Sequence, residues 1–93
     1  MTRDDFLAAA RAEGLAEPVL VEYGSTHSLG DHSHPFGAFA LVLEGEFTIE
    51  VAGRATRYAP GDTFRLATGT VHREWAGPQG ARYLSARKQA TTP

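Results

Sequence analysis

The stretch Asp31-His32-Ser33-His34-Pro35-Phe36 holds two of the four histidines of the chain, one residue apart. Residues i and i+2 of an extended strand point to the same face, so a His-x-His pair on a strand directs two imidazoles into one space. Imidazole is a ligand for Zn, Cu, Fe and Ni, and the pair therefore indicates part of a metal site. Such a pair also arises by chance on protein surfaces, so the fold must supply a third ligand from elsewhere in the chain.

Length and composition limit the fold to one small domain without disulfides. The chain has 93 residues, of which 42% are hydrophobic and 22% are charged, and these fractions are ordinary for a globular protein. It has no cysteine, so His, Asp or Glu would have to hold any metal. The net charge of −2 gives no polybasic surface, and we expect no nucleic-acid partner. The N-terminus lacks the apolar segment of a signal peptide and no apolar run could span a membrane, so we expect a cytoplasmic protein without membrane contact.

The order of local patterns predicts one helix followed by a series of short strands. Residues 3–13 are predicted to form a helix capped by Thr2, which packs on the outside of the strands or on a partner chain. After Pro18, β-branched and alternating patterns separated by tight turns predict about seven or eight strands. The predicted strands include 19–23, 38–43, 47–51, 54–58, 63–66, 70–75 and 81–86, with turns at 44–45 and 52–53 and a loop at 77–80. No helix intervenes between them, which favours an all-β barrel or sandwich.

The same patterns predict the domain organisation and the core. We divide the chain into an N-terminal helical segment (1–17), a β-barrel (18–87) and a flexible tail (88–93). A short barrel leaves strand edges that need covering, so we expect a homodimer. The predicted core comprises Phe39, Leu41, Leu43, Phe47, Ile49, Val51, Phe64 and Leu66.

The histidine pair lies in a spacing pattern that resembles the first motif of the cupin family, G-x5-H-x-H-x3,4-E-x6-G. His32 and His34 occupy the two histidine positions, and Gly45 occupies the closing glycine position. The opening glycine is replaced by Thr26. The glutamate of the motif is replaced by Ala38, so the carboxylate that this motif supplies is absent.

A second pattern resembles the other cupin motif, G-x5-P-x-G-x2-H-x3-N. Gly61 and Gly69 occupy its glycine positions, and His72 occupies its histidine position. Ala67 and Ala76 stand where the family has proline and asparagine. Both motifs keep their internal spacing, which makes the resemblance a strong indication of the fold.

The resemblance extends over about residues 19–87 and implies a double-stranded β-helix barrel of the jelly-roll type. It also implies that His32, His34 and His72 are metal ligands. Without the glutamate, the site is similar to those of three-histidine cupins, which include thiol, diketone and aromatic dioxygenases, and it differs from that of the oxalate-degrading cupins. The ion would be a divalent transition metal, and three histidines do not decide among Fe, Mn, Zn, Ni and Cu.

Glu74 is the candidate catalytic residue. It lies two residues after His72 and therefore on the same face of a regular strand. Two roles stay open for it, direct ligation of the metal and acid–base chemistry beside the metal, and we favour the second. The fourth histidine, His27, is interpreted as a loop or rim residue and not as a ligand.

Three functions are compatible with these residues. The first is a metal-binding cupin that acts as a dioxygenase, or else as an isomerase, on a small anionic molecule. The alternative is a small-ligand-binding or sensor domain without catalysis, like the cupin domains of sugar-responsive regulators. The third is a small dimeric barrel with an inert pocket.

Overall fold

A computed structural model describes residues 1–89 and contains one helix followed by six strands. These elements are α1 (Arg3–Ala12), β1 (Val19–Tyr23), β2 (Ser28–His32), β3 (Phe36–Val51), β4 (Arg54–Tyr58), β5 (Thr63–Leu66) and β6 (His72–Gln89). The predicted all-β barrel with a short N-terminal helix is confirmed. Strand β6 includes the first two residues assigned to the tail, and residues 90–93 of the predicted tail lie outside the described part. No helix within residues 1–89 has the length and apolar character needed to cross a membrane.

The two long strands β3 and β6 pair with each other and are shared by both layers of the barrel. They run antiparallel, from Phe36 opposite Gln89 to Glu50 opposite Arg73. One half of this pair is flanked by β1 and β5, and the other half by β2 and β4. The result is two four-stranded layers, β1-β6-β3-β5 and β2-β6-β3-β4, which enclose the interior core.

The turn predicted at 44–45 and the loop predicted at 77–80 are wrong, because both segments lie inside continuous strands. The β3–β6 register shifts on either side of Gly45, which marks a bulge, and Gly45 has φ of +72°. An extra residue in one strand bends that strand and increases its twist, so the chain passes from one layer to the other without a break. Two pairs of predicted strands therefore merge into β3 and β6, and β2, which is not among the seven predicted strands, brings the number to six.

Helix α1 covers the outer face of the layer that contains β1 and β5. The Thr2 hydroxyl accepts a hydrogen bond of 3.1 Å from the Asp5 N–H and caps the helix, as predicted. Phe6 is fully buried, and its ring centroid lies 4.8 Å from that of Phe39. The core between the helix and the sheet consists of Phe6, Ala10, Phe39, Leu41, Leu84 and Ala86.

A second core fills the barrel between the two layers. Its buried members are Ala40, Val42, Phe47, Ile49, Phe64, Ala76, Ala81 and Tyr83. Most of the predicted core residues belong to one of the two clusters or pack against them. Val51 is the exception, since 36% of it is exposed at the end of β3. The alternation that predicted Val51 as core gives its face correctly but not the point at which the strand leaves the barrel.

We expect Gly45→Ala to unfold the barrel more readily than the same change at Gly53. A Cβ at Gly45 would overlap the carbonyl oxygen of Gly80, whereas a Cβ at Gly53 would meet no atom within 4 Å. Both glycines have positive φ, +72° and +80°, so alanine is strained by its backbone conformation in both variants. Only the variant at Gly45 also has a steric overlap between the new Cβ and the neighbouring strand. Urea unfolding should show a loss of about 1 kcal/mol for Gly53→Ala and of more than about 3 kcal/mol for Gly45→Ala. Equal losses would contradict this account of the bend.

Candidate metal centre

Four side chains from β2, β6 and the bend between β2 and β3 meet at one point. They belong to His32, His34, His72 and Glu74, and one potential ligand atom from each lies within 4.8 Å of all the others. Strand pairing places His32 directly opposite His72. His34 follows in the bend, where its carbonyl accepts a hydrogen bond of 2.9 Å from the N–H of Gly69. The structure thus brings together all four residues that the sequence suggested for the site.

The alternation of β6 explains why Glu74 joins the histidines. His72 and Glu74 are 2% and 4% exposed, whereas the intervening Arg73 and the following Trp75 lie on the exposed face. Arg73 instead pairs with Asp31 at 2.9 Å on the outside of the barrel. Glu74 therefore lies inside the barrel with His72, and its carboxylate occupies the space among the imidazoles.

Backbone carbonyls determine which nitrogen of two imidazoles carries the proton. His32 Nδ1 lies 2.7 Å from the carbonyl oxygen of Gly30, and His72 Nδ1 lies 3.0 Å from that of Thr70. A carbonyl can only accept, so each Nδ1 donates its N–H. In the neutral ring, each Nε2 then bears a lone pair that is available to a metal.

The Glu74 carboxylate lies close to both of these Nε2 atoms. Its Oε1 is 3.1 Å from Nε2 of His32 and 3.4 Å from Nε2 of His72. Nε2 of His72 is buried and has no hydrogen-bond partner within the described residues. When both rings are neutral, these three atoms all carry lone pairs, and either a second proton on Nε2 of His32, which would make the 3.1 Å contact a hydrogen bond, or a metal ion would stabilise them.

A metal ion fits this arrangement. Metal–nitrogen and metal–oxygen bonds of about 2.0–2.1 Å place adjacent ligand atoms about 2.8–3.0 Å apart in an octahedron and about 3.3–3.4 Å apart in a tetrahedron. The two separations at Glu74 Oε1 agree with these values. The third imidazole is suited to the same role, because burial, followed by the neighbouring His72 and His32, lowers the pKa of His34 and favours its neutral form. Three imidazoles and one carboxylate are a donor set typical of first-row transition metals.

His27 lies in the loop between β1 and β2, in agreement with the sequence-based interpretation, and its side chain contacts the cluster through Glu74. Its Nε2 is 2.8 Å from Oε2 of Glu74, and its side chain is 16% exposed. The ring stacks on Tyr23, with centroids 3.5 Å apart and planes 2° from parallel. His27 and Glu74 are 47 residues apart and belong to no common motif, so no local signal in the sequence connects them.

Residues of β3, β4 and β5 line an open depression of about 420 Å³, which includes none of the four candidate ligands but reaches Ile49. Ile49 is the register partner of Glu74 on one side and of Thr56 on the other, and opposed residues in a sheet point to the same face. Arg54 pairs with Val51, two residues along the same face, and lines the depression together with Tyr58. Two arginines also line the depression, and Arg65 is paired with Glu13 at 2.6 Å. Aliphatic and aromatic walls together with the guanidinium of Arg54 are suited to a small anion.

The fold and the site together define a small cupin with a candidate metal centre. Residues 19–86, more than half of the chain, match the family model Cupin_2, described as a cupin domain. The chain belongs to this cupin family. The resemblance inferred from the two motifs is therefore confirmed.

Solved structures with similar folds have low sequence identity to the chain. KdgF from Halomonas sp. is 23% identical, with a TM-score of 0.68 over 80% of this chain and 69% of that chain. The EutQ protein of Clostridium difficile is 18% identical, with a TM-score of 0.64 over 76% of this chain and 50% of that one. An HTH_3 family transcriptional regulator from Vibrio cholerae is 15% identical, with a TM-score of 0.63 over 77% and 42% of the two chains. No curated protein matches the chain.

Proposed function

We propose that this chain is a metal-dependent cupin in which His32, His34, His72 and Glu74 hold one divalent transition metal. The observation that carries this proposal is the approach of Glu74 Oε1 to two Nε2 atoms whose Nδ1 protons are committed to backbone carbonyls. A cation between them turns a repulsive arrangement into an attractive one. Among Fe, Mn, Zn, Ni and Cu, affinity order and availability in the cell decide which ion is bound.

The proposed ligand is a small anionic molecule. Three neutral imidazoles and one carboxylate leave one positive charge on a divalent ion, and a six-coordinate ion would keep two positions for water or ligand. Arg54 provides a second positive charge at the rim of the depression. Within the described part of the chain, no carboxylate forms an ion pair with Arg54, in contrast to Arg57, which lies 3.7 Å from Glu46.

The proposed reaction is a dioxygenation, with isomerisation as the second reaction type. A bound metal would supply Lewis-acid or redox chemistry at the position enclosed by the three imidazoles and Glu74. The chain itself would hold the anion with Arg54, exclude water with the apolar wall at Ile49, and keep each imidazole oriented through its carbonyl partner.

Ligand binding without catalysis is the alternative function. The fold shared with part of an HTH_3 family transcriptional regulator supports it, because a barrel of this kind occurs in a regulatory protein. Both functions use the same depression and the same metal, so they differ only in turnover.

Metal content is the first test. Wild-type protein purified without added metal, or reconstituted and desalted, should carry about one ion per chain, and His72→Ala should carry less than about a tenth of that. Val71→Ala is the matched control, because Val71 is next to His72 but 57% exposed, and it should retain the metal. Elemental analysis measures all three proteins. An empty wild type after reconstitution, or a fully loaded His72→Ala, would refute the metal centre.

Ligand class is tested with small carboxylic acids and their uncharged amides on the Fe(II)-loaded protein. The acids should raise the melting temperature more than the amides do, and Arg54→Ala should weaken acid binding about tenfold, as expected for a hydrogen-bonded charge. Arg57→Ala, on the opposite face of β4, should bind as the wild type does. Equal binding of acids and amides would contradict an anionic ligand.

The same incubations distinguish the reaction types. Oxygen consumption identifies a dioxygenase, product without oxygen uptake identifies an isomerase, and binding without product supports the sensor function.

We also propose that the chain forms a homodimer through β1. Within residues 1–89, β1 pairs only with β6, and its Val19 and Leu20 are 48% and 42% exposed. An unpaired apolar edge favours pairing with a second copy. Sedimentation velocity at micromolar concentration should show a dimer for the wild type and a monomer for Leu20→Lys. A monomeric wild type would exclude this arrangement.

A further inference from the structure

We propose that His27 is a positioning residue that fixes the Glu74 carboxylate in the orientation required by the metal centre. This inference rests on the proposed metal-dependent function, and it assigns a role to a histidine that neither cupin motif contains. It also explains how Glu74 on β6 can supply a carboxylate to the centre although the first motif has Ala38 in place of its glutamate.

The two oxygens of Glu74 have different partners. Oε2 lies 2.8 Å from Nε2 of His27, whereas Oε1 faces Nε2 of His32 and Nε2 of His72. A carboxylate accepts, so His27 donates its Nε2–H. Glutamate has three rotatable side-chain bonds, and a charged hydrogen bond at one oxygen restricts the direction of the other. His27 therefore turns Oε1 toward the imidazoles.

His27 is itself held rigidly, as a positioning residue must be. Its N–H donates to the carbonyl of Gly24 at 3.1 Å, and its carbonyl accepts from the N–H of Ala76 at 3.1 Å. Ala76 is two residues beyond Glu74 on β6, so His27 is attached to the strand that carries the carboxylate. The parallel stack on Tyr23 fixes the plane of the ring.

This geometry excludes His27 from direct ligation in the same arrangement. Its Nε2 is the nitrogen directed at the cluster, and that nitrogen is occupied by the hydrogen bond to Glu74. The donor set thus remains three imidazoles and one carboxylate. A fixed outer hydrogen bond of this type commonly changes metal affinity by about 10–100-fold.

Two substitutions separate the hydrogen bond from the stack. His27→Phe keeps a ring that can stack on Tyr23 and removes the donor, whereas His27→Gln provides an amide N–H near the position of Nε2. In the Co(II)-loaded proteins, His27→Phe should bind the ion at least about tenfold more weakly and shift the visible absorption bands. His27→Gln should restore both the affinity and the spectrum. Wild-type affinity and spectrum in His27→Phe, or a failure of His27→Gln to differ from His27→Phe, would overturn the inference.

Side-chain NMR of the metal-free protein tests the same contact independently of metal binding. Long-range proton–nitrogen spectra should show His27 protonated at Nε2, with a proton protected from exchange. Glu74→Ala should abolish this protection. Protonation at Nδ1 alone, or unchanged protection in Glu74→Ala, would also overturn the inference. If the wild type binds no Co(II), the proposed function fails, and the NMR result alone decides whether His27 holds Glu74.

Discussion

The antiparallel pairing of β3 with β6 is the constraint on which the rest of the structure depends. Each strand is long enough to serve both layers, and the bulges around Gly45 bend the pair so that the layers face each other. Strand β2 then pairs with the first residues of β6, which brings His32 opposite His72. The candidate metal centre is therefore a consequence of strand register, and it requires no long loop to assemble it.

The sequence predicts the parts of this arrangement that depend on local periodicity. The period of two along β6 places Glu74 beside His72, and motif spacing relates that strand to the His32–His34 pair. The bend at Gly45 is a different case, because a hairpin turn and a bulge both use a glycine with positive φ. Only the pairing with β6 distinguishes the two, and that pairing joins residues distant in the chain.

His27 shows a second limit of prediction from sequence. Its contact with Glu74 depends on the local turn that begins at Gly24, on the nearby ring of Tyr23 and on the register of β6. The register of β6 is not encoded within a few residues of His27. Non-local hydrogen bonds between side chains leave no periodic pattern. A charged residue buried among imidazoles is the structural sign that such a partner exists, because an unpaired buried charge is costly.

The position of the carboxylate separates this chain from the first cupin motif more than the histidines do. Ala38 lies on β3, four residues beyond His34, whereas Glu74 lies on β6, two residues beyond His72. A carboxylate from β6 can complete the same donor set while approaching the imidazoles from a different strand. At position 38 the chain has no carboxylate, and the register partner of Ala38 on β6 is Arg87. A cupin with this arrangement would therefore keep the metal charge of a three-histidine, one-glutamate site while presenting a different face of the ion to its ligand.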